Sequence, residues 1–215
     1  MKLRRSISAV LNDFKVEMNK LKNLDLDTQQ RLSSSLGRPT IGSLTRKQVL
    51  VITENIFFSA FRTYESLMED VFLLYCMEKP PLSGKKPKSY INPTSFNHAA
   101  DLIKSSMSFL DWTAPENLIK RSELFLKNGY PVKGVITANQ TILQNFKRIR
   151  NHIAHNSRES HSKYLIVLRN TLTTVPVKPP NVGEFLLMTD RLNSPDYYLM
   201  TYLDEIEKIG VALCG

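Results

Sequence analysis

The sequence predicts an all-α fold. Apolar residues recur at three- and four-residue steps over long stretches, the period of a helix with one buried face. Pro, Gly and Ser punctuate the gaps between those stretches. One stretch is apolar over so wide an arc that it must be packed from two sides, as in a helix bundle.

Ile7, Val10, Leu11, Phe14, Met18 and Leu21 form the stripe of a first amphipathic helix, which the segment 33–39, Ser-rich and ending in Pro39, closes as a linker. A second helix is expected from near Thr45 to about Met77. Ile56, Ala60, Tyr64, Leu67, Val71 and Leu74 make one of its stripes, with Phe57, Phe61, Met68, Phe72 and Tyr75 beside it. Pro80 and Pro81 stop it, and 82–93 reads as a loop. Thr94 is expected to cap a third helix through about Met107. Thr113 to Glu116 has the pattern of a capping box with Pro in the first turn, so a fourth helix should reach about Leu126. Asn128 to Pro131 is a turn. A fifth helix is expected to run unbroken from about Val135 to the region of His155, with Val135, Ala138, Ile142, Phe146, Ile149 and Ile153 as its core stripe. A helical segment over 160–172 follows. The stretch 184–188 fits either a short strand or a helical turn, and Ser194 with Pro195 opens a last helix through Tyr198, Tyr202, Ile206 and Ile209.

Lys and Arg outnumber Asp and Glu by 29 to 20, a formal net charge of +9. That surplus favours a polyanionic partner, nucleic acid first and an anionic membrane surface second. No segment holds the ~18 uninterrupted apolar residues of a membrane span. Lys2, Arg4 and Arg5 are not followed by a signal-like apolar region, so a cytoplasmic protein is expected. Cys76 and Cys214 stand in no metal-ligating spacing and read as reduced thiols. There is no Gly-rich phosphate loop, nucleophile elbow or paired-carboxylate motif, which leaves kinase, serine-hydrolase and glycosidase readings without support.

The chemistry-bearing segment is 146–155, Phe146-Lys147-Arg148-Ile149-Arg150-Asn151-His152-Ile153-Ala154-His155. Opposite the core stripe lie Gln144, Lys147, Arg148, Asn151 and His155. Asn151 and His155, four apart, stack on one face. Arg150 sits about 140° round from His155, so its long side chain or a bend near the helix end must close the gap. Leu143 and Ala154, at the edge between them, leave room for a partner helix. Histidine transfers protons near neutral pH, and arginine keeps its charge and forks onto phosphate oxygens.

Arg150, Asn151 and His155 in this order resemble the R-x4-6-H signature of HEPN domains. The aromatic-rich helix from Phe57 to Asp70, the motif on a late helix, and the stretch 182–187 before a last helix are together similar to the RiboL-PSP-HEPN group, over roughly 45–209. The resemblance implies a HEPN-type helical bundle over 39–215, with an added N-terminal helix and linker over 1–38 and a C-terminal helix. It further implies an endoribonuclease that needs no metal or cofactor. The active site would be composite, formed where the Arg150, Asn151 and His155 sets of two copies meet in a homodimer. RNA contacts are expected from Lys147, Arg148, His152, Lys85, Lys86 and Lys88. The biological setting it implies is a toxin or antiviral defence effector restrained by a partner such as a nucleotidyltransferase-type antitoxin.

Plainer readings stand beside it. His155 can serve the dipole of its own helix end, with Arg150 and Lys147 as solvated charges. Lys85, Lys86 and Lys88 can simply solvate their loop. His152, His155 and His161 suggest a zinc site only if Glu159 or His161 folds back over the helix end. His98 has no visible partner and reads as structural. At the level of function the alternative is a non-catalytic HEPN module whose basic face binds RNA, a nucleotide or a protein.

Overall fold

Both apolar stripes expected on the second helix are buried along their whole length. The computed structural model describes residues 6–33, 42–105, 110–172, 174, 176–189 and 196–215. Among these it forms α1 (Ile7–Ser33), α2 (Arg46–Cys76), α3 (Phe96–Lys104), α4 (Pro115–Phe125), α5 (Val132–Ala138), α6 (Gln140–His155), α7 (Arg158–Thr171), α8 (Val182–Leu186) and α9 (Tyr198–Cys214), with one 3-10 turn at Lys127–Gly129. Strand pairing among the described residues is limited to two isolated bridges, Ser89 with Leu126 and Thr189 with Tyr197. The fold is all-α. No helix among the described residues is long and apolar enough to cross a membrane.

The chain divides into two compact units, one of 1–15, 63–144 and 207–215, the other of 16–62 and 145–206. In the first unit Phe72 packs against Trp112 and Phe125, with ring centroids 5.4 and 6.5 Å away. Arg121 lies over the Trp112 ring at 4.6 Å. Tyr75 donates its hydroxyl proton to the Leu213 carbonyl at 2.7 Å. Cys76 and Cys214 are buried free thiols, each pushed up to about 12 by burial.

In the second unit Phe146 of α6 stands among Phe57, Phe61 and Tyr202, with centroids 5.8, 6.5 and 4.9 Å away. Tilted and edge-on rings of this kind add attraction beyond the area they bury. The backbone of α8 lies against α2: Gly183 N–H donates to Glu54 Oε1 at 2.9 Å, and a Cβ on Gly183 would meet the Leu50 carbonyl oxygen at 2.7 Å. Asp25 is fully buried on α1 and accepts from the Tyr197 hydroxyl and from Gln29, while burial raises its carboxyl above the usual range.

Several boundaries differ from the sequence expectation. The long fifth helix is broken at Asn139, which leaves helical geometry at φ −113°, ψ 15° and turns its Nδ2 back onto the Val135 carbonyl. An Asn side chain competes with the helix for backbone partners, and here it wins. The core register changes with the break: Val132 and Ile136 are buried on α5 and Leu143, Phe146 and Ile149 on α6, whereas Ala138 is exposed and Ile142 and Ile153 are half-buried. Leu143, expected at an open edge, is therefore core. Ser95 caps α3 in place of Thr94, which instead approaches Nδ1 of His98, so that histidine has a partner after all. Thr113 bonds Asp111, leaving Ala114 as the N-cap of α4 with no side-chain cap bond, and Glu116 accepts from Gln144. The stretch 182–186 is helical, capped by Asn181 and Glu184. The linker from 34 onward, the basic residues at 2–5 and the Ser194-Pro195 start of the last helix lie outside the described residues.

Phe146→Ala should destabilise the protein by about 3–5 kcal/mol, the range for emptying a buried aromatic site. Gly183→Ala should cost about 1–3 kcal/mol by overpacking against a backbone that cannot swing aside. Urea denaturation of each variant checks both values.

Candidate functional site

The second unit places the motif at the C-terminal end of α6. Asn156 ends that helix in the left-handed region at φ 43°, which Asn tolerates better than most residues, and its N–H closes back on the His152 carbonyl at 3.0 Å. Ser157 then caps α7 in a reciprocal box with Ser160. The two helices are thus joined through a tight turn in which the N–H groups of Asn156 and Ser157 are both bonded.

Ser160 is buried, and its hydroxyl oxygen accepts from the Ser157 N–H at 2.9 Å. Nδ1 of His152 lies 3.1 Å from that same oxygen. The His152 ring stacks on Tyr164 at 5.0 Å and 23°, with the His161 ring 5.3 Å away. Tyr164 in turn donates to the carbonyls of Pro180 and Asn181, both at 3.2 Å. Burial, and secondarily the charge of His161, hold the His152 imidazolium below its ordinary value. His152 is therefore tied into the packing between α6 and α7, while His155 is exposed at the last residue of α6.

Arg150 is half-buried, its Nη1 donating to Asn151 Oδ1 at 3.0 Å and its guanidinium carbon 5.5 Å from the centre of the Phe58 ring on α2. The structure thus joins Arg150 to Asn151 directly and leaves His155 on the solvent side of the helix end. A held guanidinium and an accessible imidazole are the two kinds of group that phosphate-ester chemistry uses for charge and for protons.

The other expected RNA contacts fall into two sets. Lys147 and Arg148 are half-buried on α6, and Arg148 donates to Asn145 at 3.1 Å. Lys85, Lys86 and Lys88 are exposed in the first unit, in a loop bonded along its length. There the Lys85 N–H donates to the Tyr130 hydroxyl, the Lys88 carbonyl accepts from Lys127, and Lys86 pairs with Glu78 at 2.9 Å. Among the described residues no group of three or more His, Cys, Asp or Glu is set to hold a metal ion. Sequence reasoning missed Phe58, Ser160 and Tyr164 as supports of the motif. The Ser157 and Ser160 spacing signals a helix cap, but nothing in the sequence pairs Phe58 with Arg150.

Comparison with protein-family models, with curated proteins and with solved structures finds no match to this chain.

The lowered affinity of folded His152 for protons has a defined sign. The unfolded chain binds more protons than the folded one below the ordinary value of 6.5, so stability is lost as pH falls through that value toward the lower folded one. Denaturation midpoints measured from pH 7.5 to 5 should decline, and His152→Gln should flatten the decline. An unchanged slope in that variant would assign the effect to another group.

Proposed function

We propose that this chain is a HEPN-type endoribonuclease, with Arg150, Asn151 and His155 as its working residues and a homodimer as its active form. One observation carries the reading: an arginine held by Asn151 and Phe58 and an accessible histidine occupy the last two turns of α6, in the R-x4-H order of that family.

The chemistry follows from RNA itself. The ribose 2′-oxygen attacks the adjacent phosphorus as a base removes its proton. The bond to the 5′-oxygen breaks as an acid protonates that leaving group, and a 2′,3′-cyclic phosphate remains. His155 supplies proton transfer, and Arg150 binds the charge that grows on the non-bridging oxygens. Asn151 orients the guanidinium. A two-fold dimer would bring two histidines to one site, one for each proton. The side chains suffice for every step without a cofactor. By resemblance, the setting is a cytoplasmic toxin or defence effector held in check by a partner protein.

A second reading rests on the same contacts. An arginine engaged with Asn151 and Phe58 also suits a helix end built for rigidity, in a module that binds RNA or protein without cutting it.

Cleavage of single-stranded RNA in EDTA, yielding a 2′,3′-cyclic phosphate end, is expected from the wild type. Deoxyribose at the scissile position should abolish it. His155→Ala should lower the rate by roughly 10²–10⁴-fold, and Arg150→Ala by about 10²–10³-fold, each with a native circular dichroism spectrum. Full activity in both variants, or cleavage of the deoxy-substituted strand, leaves the binding module.

Assembly and charge give a further check. Light scattering should find a dimer at micromolar concentration. RNA affinity should fall steeply between low and physiological salt, as release of counterions from several phosphates demands. A purely monomeric protein would remove the composite site, and a flat salt response would remove the basic footprint.

A further inference from the structure

Phe58 lies beside the motif but belongs to a different helix, ninety-two positions earlier in the chain, and it is half-buried. Its neighbours on either side along α2 do other work: Phe57 is fully buried in the Phe146 cluster, and so is Phe61 one turn on. Phe58 stands off that cluster, and the group it presents its ring to is the Arg150 guanidinium, 5.5 Å from the centroid. An aromatic face attracts a guanidinium electrostatically and also stacks on its plane. The contact to Asn151 Oδ1, at 3.0 Å, restrains the same guanidinium through Nη1. One contact comes from α6 itself and the other from α2, so the plane of the group is referenced to two helices rather than to its own side-chain torsions.

We propose that Phe58 is a positioning residue: its ring holds the Arg150 guanidinium in a fixed orientation before any anion arrives. The proposal rests on the ribonuclease reading for its catalytic consequence, but the restraint itself is a property of the folded chain. A long arginine left free would have to be ordered by each substrate as it bound. With Phe58 in place that ordering is complete in the free protein, and the charge meets the phosphate where it develops in the transition state. Phe58 touches neither substrate nor reacting atoms in this scheme; it acts through Arg150.

The experiment pairs Phe58→Leu, which keeps apolar bulk and removes the ring, with Phe58→Tyr, which keeps the ring face. Nitrogen-15 relaxation of the arginine Nε–H groups in the full chain should find Arg150 markedly more rigid than exposed Arg158 in the wild type. Arg150 should become mobile in Phe58→Leu and rigid again in Phe58→Tyr. On an RNA substrate, Phe58→Leu should lower kcat by roughly 10- to 100-fold with KM little changed, the scale of a displaced catalytic group. Phe58→Tyr should restore most of the rate. Placed on Arg150→Ala, Phe58→Leu should cost nothing further, because the group it positions is gone. Equal losses with and without Arg150 would mark Phe58 as general packing and overturn the proposal. So would an Arg150 as mobile as Arg158 in the wild type, or one unmoved by Phe58→Leu. If the wild type cuts no RNA, the ribonuclease reading fails alone. The relaxation measurement then decides the restraint by itself: loss of rigidity in Phe58→Leu supports it, and no change overturns it.

Discussion

The rotation of α6 about its own axis is set by one side chain. Phe146 enters a ring cluster made by α2 and α9, and the geometry of aromatic edges on faces leaves it little freedom to turn. Everything else on α6 takes its direction from that anchor. Ile149 follows Phe146 inward, Lys147 and Arg148 are carried to the flank, and Arg150 arrives over Phe58. A helix anchored through a flexible residue such as Met would not hold a guanidinium over one particular ring.

Much of this was legible in the residues, and the reasons differ from element to element. α2 could be read because both of its apolar stripes keep helical period over about five turns, leaving no other way to bury them. The break at Asn139 could not, because Val135 and Ala138 also fit the helical period of the residues after it. Only the local competition between an Asn side chain and the backbone decides where the helix stops. The extent of α1 shows a related failure. Its apolar stripe gives way to Asp25 and Thr28, polar residues that look solvent-facing in sequence yet are buried, because Tyr197, Gln29 and the Leu24 carbonyl satisfy them. Such partners lie too far along the chain, or too close along the helix, for periodicity to announce them.

For the site, Arg150, Asn151 and His155 were visible as a spaced motif, but the direct bond between Arg150 and Asn151, which leaves His155 outside it, was not. The division of labour among the histidines was not visible. His152 and His155 sit one turn apart on one short helix, yet one is stacked against Tyr164 and bonded to Ser160 while the other is exposed. What separates them is the turn at Asn156 and Ser157, which folds α7 back over one histidine only. Ser160 belongs to both arrangements, since the oxygen that closes the reciprocal half of the α7 capping box, accepting from the Ser157 N–H, is the oxygen His152 meets. Alanine there would remove the reciprocal half of the capping box and the histidine's partner together while leaving the Ser157 cap in place, whereas threonine would keep the hydroxyl but add a methyl group where the side chain is already buried.

The two thiols described in the first unit have a consequence for anyone wishing to follow this protein by spectroscopy. Alkylating reagents attack thiolates, and burial suppresses the thiolate of Cys76 and of Cys214 while also closing off approach to the sulfur. The native chain is therefore a quiet background for maleimide chemistry. A single cysteine introduced at an exposed position, such as Val177 or Leu124, would carry a dye or spin label with little competition, and neither native thiol would first need replacing.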